Sequence, residues 1–207
     1  LLTYGMPPAL TAATGVDALT HAIESCVSRK ATKLTIDFSL RAAGRLARFL
    51  PVAFASPDDA EARRECLLGS LKAGIAFTNS SVALVHGMAR PLGAKFGIPH
   101  GVSNAVLLEA IMRFSLPGAP ERYARLAEAM GAVPAGTPLE TARAGLGIVS
   151  RLVRELHIPR LRDLLSREAL DAQLDAMVRE AVASGSPANN PRPASPEEIA
   201  SLYGEAF

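Results

Sequence analysis

The sequence predicts an all-α protein, a multi-helix bundle, and three observations support this fold class. Apolar residues recur three and four positions apart in most segments, capping patterns open several of them, and no segment alternates apolar and polar residues as a half-buried strand does. The chain has 207 residues, of which 49% are hydrophobic, so it is long enough to bury a core. We therefore expect residues 1–207 to form one all-helical domain.

Four helices are predicted in the first half of the chain. The second has apolar residues at an amphipathic spacing. The third opens on Ser-Pro-Asp-Asp, which combines a capping serine, a proline at the first position and acids in the first turn. In chain order, these helices run from near Thr11 to Val27, from Thr35 to Phe54, from Ser56 to about Ala76, and from Val82 through Arg90.

Five further helices are predicted after a turn at Gly97–Pro99, because glycine and proline both interrupt helix. Two segments, Thr137–Glu140 and Ser195–Glu198, have the pattern of a capping box. Residues 184–193 are rich in Ser, Pro, Asn and Gly and are predicted to be a loop. The helices run from His100 through Met112, from Pro120 to near Gly131, from Thr137 to about Leu156, from Ser166 through Val182, and from Ser195 onward.

The composition argues against nucleic acid and membrane as partners. The formal net charge is +2 and the basic residues are interleaved with acids, so we expect no cationic patch for nucleic acid. No apolar run is long enough to cross a bilayer, and the opening residues LLTY do not resemble a signal peptide. Cys26 and Cys66 stand far apart in helix-like segments and are expected to be small buried hydrophobes. These features predict a soluble, cytoplasmic protein.

Asp17 and His21 are the first pair that could carry chemistry. They lie four residues apart in a predicted helix, and this spacing puts both side chains on one face, about a turn apart. A carboxylate and an imidazole in this position can bind one ion together. The same spacing also occurs in hydrogen-bonded pairs on helix surfaces, so alone it leaves both interpretations open.

His86 and His100 could complete such a site. His86 has apolar neighbours and is predicted to lie on a buried face, where a histidine without a ligand role is also common. His100 follows the Gly97–Pro99 turn, and a chain reversal there would return it towards His86. One carboxylate and three imidazoles are ligands suited to Fe2+, Zn2+ or similar ions. The sequence therefore predicts a shared metal site, with separate structural histidines as the alternative.

Three segments of the sequence resemble one family. These are LTAATGVDALTHAIE at residues 10–24, FTNSSVALVHGMARPLGAKFGIPHGVSNAVLL at residues 77–108, and ANNPRP at residues 188–193. Together they look like the C-terminal helical domain of the iron-containing (group III) alcohol dehydrogenases, in the same order and at the expected separation. The resemblance covers essentially the whole chain.

The resemblance implies a function and a set of ligands. Asp17, His21, His86 and His100 correspond to the family's metal ligands, with Fe2+ expected first and Zn2+ as the alternative. The implied reaction transfers hydride between a small alcohol and NAD(P)+, or between NAD(P)H and an aldehyde or ketone. In this family NAD(P) is held mainly by an N-terminal α/β domain that residues 1–207 lack. We therefore expect the isolated chain to be inactive, and the face left uncovered to favour association into homo-oligomers.

Arg90, Phe77 and Asn79 are further candidates for the substrate or cofactor cleft. Many family members carry a second histidine where this sequence has Arg90, and an arginine cannot relay protons near neutral pH. Arg90 could bind an anionic group of the substrate, or pair with a structural carboxylate or a coenzyme phosphate. By resemblance, Phe77 and Asn79 line the cleft; core packing and helix capping are the respective alternatives.

A second functional class remains open. The chain opens on Pro7 and Pro8 with no preceding strand and no Gly-rich phosphate loop, so we expect it to be one part of a longer polypeptide. Taken alone, it could be a helical metal-binding or assembly module with no turnover of its own. A βαβ pattern with a Gly-rich loop encoded upstream would favour the enzyme.

Overall fold

The chain folds into nine α-helices and no strand across residues 2–207, the part that the computed structural model describes. In chain order the helices are α1 (Pro8–Val27), α2 (Lys33–Ala55), α3 (Ala60–Thr78), α4 (Leu84–Phe96), α5 (His100–Ser115), α6 (Pro120–Ala129), α7 (Pro138–Glu155), α8 (Arg167–Ala183) and α9 (Pro196–Ala206). The predicted all-α fold class is confirmed. None of the helices in residues 2–207 combines the length and the apolar character that a bilayer crossing requires.

Local capping signals account for several helix starts. The side chains of Thr137 and Ser195 each accept a hydrogen bond from the backbone N–H three residues on, and the carboxylates of Glu140 and Glu198 accept one from the backbone N–H of the cap residue. Both predicted capping boxes are therefore confirmed. Within residues 184–193, predicted as a loop, the structure adds one short 3₁₀ turn at Ser186–Asn189.

The predicted start of the third helix is wrong. Asp59, not Ser56, caps α3, and its carboxylate accepts a hydrogen bond from the Ala62 N–H at 2.8 Å. Ser56 instead ends α2, since its N–H donates to the Val52 carbonyl. The segment offers two capping residues, and the longer α2 uses the first.

Three other helices begin at different residues from those predicted. The first starts at Pro8 rather than Thr11, because a proline in the first turn has no N–H to leave unpaired. The second starts at Lys33 rather than Thr35, after a cap at Thr32. The fourth starts at Leu84 rather than Val82, and its first turn is held by a side chain from α1 that is described below.

Helix α1 lies at the centre of the bundle and packs against α2, α3 and α5. Val16, Leu19 and Cys26 on this helix are fully buried. Burial of these apolar groups is the main stabilising contribution to such a core. Cys26 is thus buried as expected, whereas Cys66 on α3 is only partly buried. Because α1 is fixed on several sides, side chains that project from it are held in defined positions.

The close approach of α1 and α5 depends on a glycine. Gly101, in the first turn of α5, lies so near the Ala13 carbonyl group of α1 that a β-carbon would overlap with it. His100 precedes this glycine, and Asp17 lies one turn after Ala13. The glycine contact therefore sets how near the His100 helix comes to the Asp17 helix.

We predict that Gly101→Ala destabilises the fold by about 1–3 kcal/mol, because the added methyl group forces α1 and α5 apart. Chemical denaturation of the purified variant measures this change. The matched control is Gly147→Ala in α7, where a β-carbon meets nothing within 4 Å. It should leave stability unchanged or raise it by up to about 1 kcal/mol. Equal effects of the two substitutions would contradict the packing argument.

Candidate metal centre

Two helices bring three of the predicted ligands into one group. Asp17 and His21 project from α1 and His86 from α4, and each offers a ligand atom such that these atoms all lie within 4.8 Å of one another. Asp17 Oδ2 is 3.8 Å from His21 Nδ1, as expected for neighbours one turn apart. The His21 and His86 rings are 4.3 Å apart between centroids.

His100 lies at the exposed edge of this group. The left-handed conformation of Gly97 ends α4 and reverses the chain, and His100 is the first residue of α5. Its Nε2 atom is 3.6 Å from Asp17 Oδ1, and its ring centroid is 5.4 Å from that of His86. Half of the His100 side chain is exposed to solvent, against 3% for His86. His100 thus faces the group from the solvent side.

Glu24 is a further residue of the site that the sequence did not reveal. It is buried on α1, and its carboxylate accepts hydrogen bonds from the Ala83 N–H at 2.9 Å and the Val85 N–H at 2.6 Å. A carboxylate at a helix start compensates the unpaired N–H groups there. Glu24 also bonds to His86 Nδ1 at 2.6 Å, which leaves His86 Nε2 directed at Asp17. The sequence feature that could have indicated Glu24 is its position three residues after His21, on the same helix face.

Asn104 is the second residue that the sequence reading missed. It is buried on α5, one turn after His100. Its amide Nδ2 lies 2.6 Å from Asp17 Oδ1, and 3.2 Å and 3.1 Å from the Nε2 atoms of His86 and His100. The helical spacing from His100 could have indicated it, but nothing local shows that Asp17 lies opposite.

The pKa values of Asp17, His21 and His86 are set by two effects: burial disfavours the charged form of each group, and neighbouring charged groups favour or oppose it. Burial, followed by the positive charge of His86, lowers the pKa of His21 to about 4, so its ring is neutral at pH 7. Burial also lowers the pKa of His86, but hydrogen bonds to Asp17 and Glu24 outweigh this and raise it to about 9. For Asp17, burial raises the pKa, while the His86 hydrogen bond and the nearby imidazoles lower it below its usual range. At pH 7 the positive charge of the group therefore lies on the His86 ring, between the Asp17 and Glu24 carboxylates.

Phe77 is in contact with the candidate ligands, whereas Asn79 and Arg90 are not in the group. The Phe77 ring stacks on His21 at 4.3 Å between centroids. Asn79 ends α3, and its side chain donates to the Ile75 carbonyl one turn earlier. Arg90 is exposed one turn after His86 and donates from Nη1 to the Ser186 hydroxyl at 3.0 Å. Within residues 2–207 it forms no ion pair, so no carboxylate of this part of the chain is its partner.

The residues present fit a divalent transition metal. One carboxylate and three imidazoles form a borderline donor set. The His86 ring is held by a carboxylate on its far nitrogen, as is usual for a metal-binding histidine.

Comparison with known proteins identifies relatives along almost the whole chain. Residues 11–207 match the model of the "Fe-containing alcohol dehydrogenase family, C-terminal". The chain is 40% identical to 1,3-propanediol dehydrogenase of Klebsiella pneumoniae over 209 residues, which cover 100% of this chain and 53% of that protein. It is 43% identical to lactaldehyde reductase of Escherichia coli strain K12 over 206 residues, covering 98% and 52%. The chain thus spans about half the length of these curated relatives.

Solved structures show the same relationship. The chain is similar to 1,3-propanediol oxidoreductase with a TM-score of 0.96 and 40% identity, over 100% of this chain and 54% of that one. For an alcohol dehydrogenase from Oenococcus oeni, the TM-score is 0.94 at 31% identity, with 100% and 54% covered. The resemblance inferred from the sequence blocks is therefore confirmed.

We predict that Glu24→Gln weakens metal binding by about tenfold or more, the usual effect of losing a partner that orients a ligand. The glutamine offers one acceptor oxygen to three donors, so its NH2 group must face another N–H and His86 loses its fixed orientation. Competition with a chromophoric chelator measures the affinity. As a control, Glu109→Gln removes a carboxylate that pairs with Arg113 on the exposed side of α5. If both variants bind metal like the wild type, Glu24 does not orient the site.

Proposed function

The chain belongs to the Fe-containing alcohol dehydrogenase family, and from this premise we propose that it is the metal-binding part of an NAD(P)-linked oxidoreductase. One observation carries the proposal: a carboxylate and three imidazoles from three different helices point at a common region. Asp17 and His21 come from α1, His86 from α4 and His100 from α5. We assign these four side chains as the metal ligands.

The names of the relatives support a small alcohol or aldehyde as substrate. A 1,3-propanediol dehydrogenase and a lactaldehyde reductase are both named for such compounds. We propose that this chain takes part in the same class of reaction, with an aldehyde or ketone as the oxidised partner.

Each side chain of the site would have a separate role. A divalent metal, Fe2+ or Zn2+, supplies Lewis acidity that lowers the pKa of an alcohol and polarises a carbonyl group. The buried Glu24 holds His86 in its orientation, and Phe77 covers one face of His21 and borders the substrate cleft. The half-exposed His100 lies on the side from which substrate would arrive. Asn79 fixes the end of the helix from which Phe77 projects.

A separate domain would supply the coenzyme. Residues 2–207 contain no strand and so no βαβ unit that could hold NAD(P). Because the matched relatives are about twice as long, we propose that an N-terminal NAD(P)-binding domain accompanies the helical domain of residues 1–207. The nicotinamide coenzyme held by that domain would supply the hydride chemistry. Association into homo-oligomers stays a prediction. Without such a domain, the chain would be a metal-binding or assembly module, the second candidate function.

We predict that the purified chain binds one divalent ion and that His100→Ala, which removes one of its four assigned ligands, weakens this binding. Metal analysis after exposure to Fe2+ under anaerobic conditions, or to Zn2+, measures the content. The matched control is His157→Ala, because His157 is exposed after α7 and is the one histidine not assigned to the site. Equal metal content in all three proteins would reject the ligand assignment.

The chain by itself is expected to show no dehydrogenase activity, because residues 2–207 provide no coenzyme domain. The measurement is NADH or NADPH oxidation with propanal, using metal-loaded protein. Turnover without any added protein would contradict the proposal that metal and coenzyme are bound by different domains. Metal binding without turnover agrees with it.

Arg90 is proposed to bind an anionic group of the substrate, since within residues 2–207 its guanidinium makes one hydrogen bond, to Ser186, and leaves other donors available. In a polypeptide that includes the coenzyme domain, Arg90→Ala should lower kcat/KM by about tenfold or more for a carboxylate-bearing aldehyde and much less for propanal. Arg113→Ala, at an exposed ion pair on α5, serves as the control. An equal loss on both aldehydes would favour the alternative, a contact with the coenzyme phosphates.

A further inference from the structure

The amide of Asn104 lies among the atoms assigned as metal ligands. Its Nδ2 atom is 2.6 Å from Asp17 Oδ1, 3.2 Å from His86 Nε2 and 3.1 Å from His100 Nε2. Three of the four assigned ligands therefore have an atom within hydrogen-bond distance of one amide nitrogen. The side chain is fully buried, so water does not compete for these contacts.

The orientation of this amide is set by Asp17. An amide oxygen at 2.6 Å from a carboxylate oxygen would be repelled, so the NH2 end must face Asp17. One NH2 hydrogen serves Asp17, and the other can serve one imidazole nitrogen that carries no proton. Within residues 2–207 the opposite end, Oδ1, is buried without a partner. In this part of the chain the amide is therefore held by bonds from its NH2 end to the ligands.

A metal ion and this NH2 group need the same lone pairs. An imidazole Nε2 that carries no proton has one lone pair, which either accepts an N–H or binds an ion. The amide hydrogens carry partial positive charge, so they compensate the Asp17 carboxylate in part, as a cation would. The unpaired Oδ1 adds no bond that must be broken when the amide turns away.

We propose that Asn104 is the occupant of the site in the metal-free protein and is displaced when a divalent ion binds. This inference rests on the proposed function, because it takes Asp17, His86 and His100 as ligands. Asn104 is a positioning residue: it holds the carboxylate and the imidazoles together without metal. Its hydrogen bonds must be given up on binding, so they lower the metal affinity while they stabilise the metal-free fold.

The experiment compares Zn2+ affinity and melting temperature of wild type and Asn104→Ala. We expect the variant to bind Zn2+ about tenfold more tightly, because a hydrogen bond to a charged group no longer has to be broken. Its metal-free form should melt at a lower temperature. The matched control is Asn190→Ala, which removes a buried amide bonded to Ser115 and to the Arg192 carbonyl. This control should lose stability but keep the wild-type Zn2+ affinity.

The outcomes separate this inference from the function on which it rests. If wild type binds Zn2+ and Asn104→Ala binds it equally or less tightly, the displacement idea is overturned and the metal site stands. If wild type binds no divalent ion, both are overturned. Should the variant fail to fold, the wild-type Asn104 side-chain amide signal in an NMR titration with Zn2+ decides. Its resonance should shift as the hydrogen bonds break, and an unchanged resonance at saturation refutes displacement.

Discussion

The buried carboxylate of Glu24 joins α1 to the start of α4, and the candidate metal centre depends on this junction. The carboxylate accepts two backbone N–H groups of the α4 start and the His86 ring nitrogen. Burying a charged group costs free energy unless each acceptor position is satisfied, and here three donors meet it. The same contact thus fixes where α4 begins and which nitrogen of His86 faces Asp17.

That junction is supported by the close packing of α5 on α1 and by contacts from the loop that precedes α9. Gly101 lets α5 approach α1, so that His100 comes within reach of Asp17. On the other side, the Asn189 side chain donates to Ser81 and Val82 in the segment before α4. These contacts hold the start of α4 from both directions. Ligands held in this way need little rearrangement to share an ion, which is the physical sense of a preorganised site.

The part of the site nearest to Arg90 lies towards solvent. Arg90 stands one turn beyond His86, and it is hydrogen-bonded to Ser186. An arginine keeps its charge at all physiological pH values, so this position contributes a fixed positive charge rather than a proton relay. The proposed site then combines a partly buried ligand with a neutral ring, His21, and a positively charged residue on the exposed side, Arg90.

Features that depend on neighbours along the chain could be predicted from the sequence alone: the capping boxes at Thr137 and Ser195, and the shared face of Asp17 and His21. The start of α3 was predicted wrongly because Ser56 and Asp59 can both cap a helix. Only the full length of α2 decides between them. Glu24 and Asn104 required the tertiary structure, since their partners lie 62 and 87 residues away along the chain. The periodicity of a helix shows which of its own side chains share a face. It does not show which helix, distant in the sequence, packs against that face.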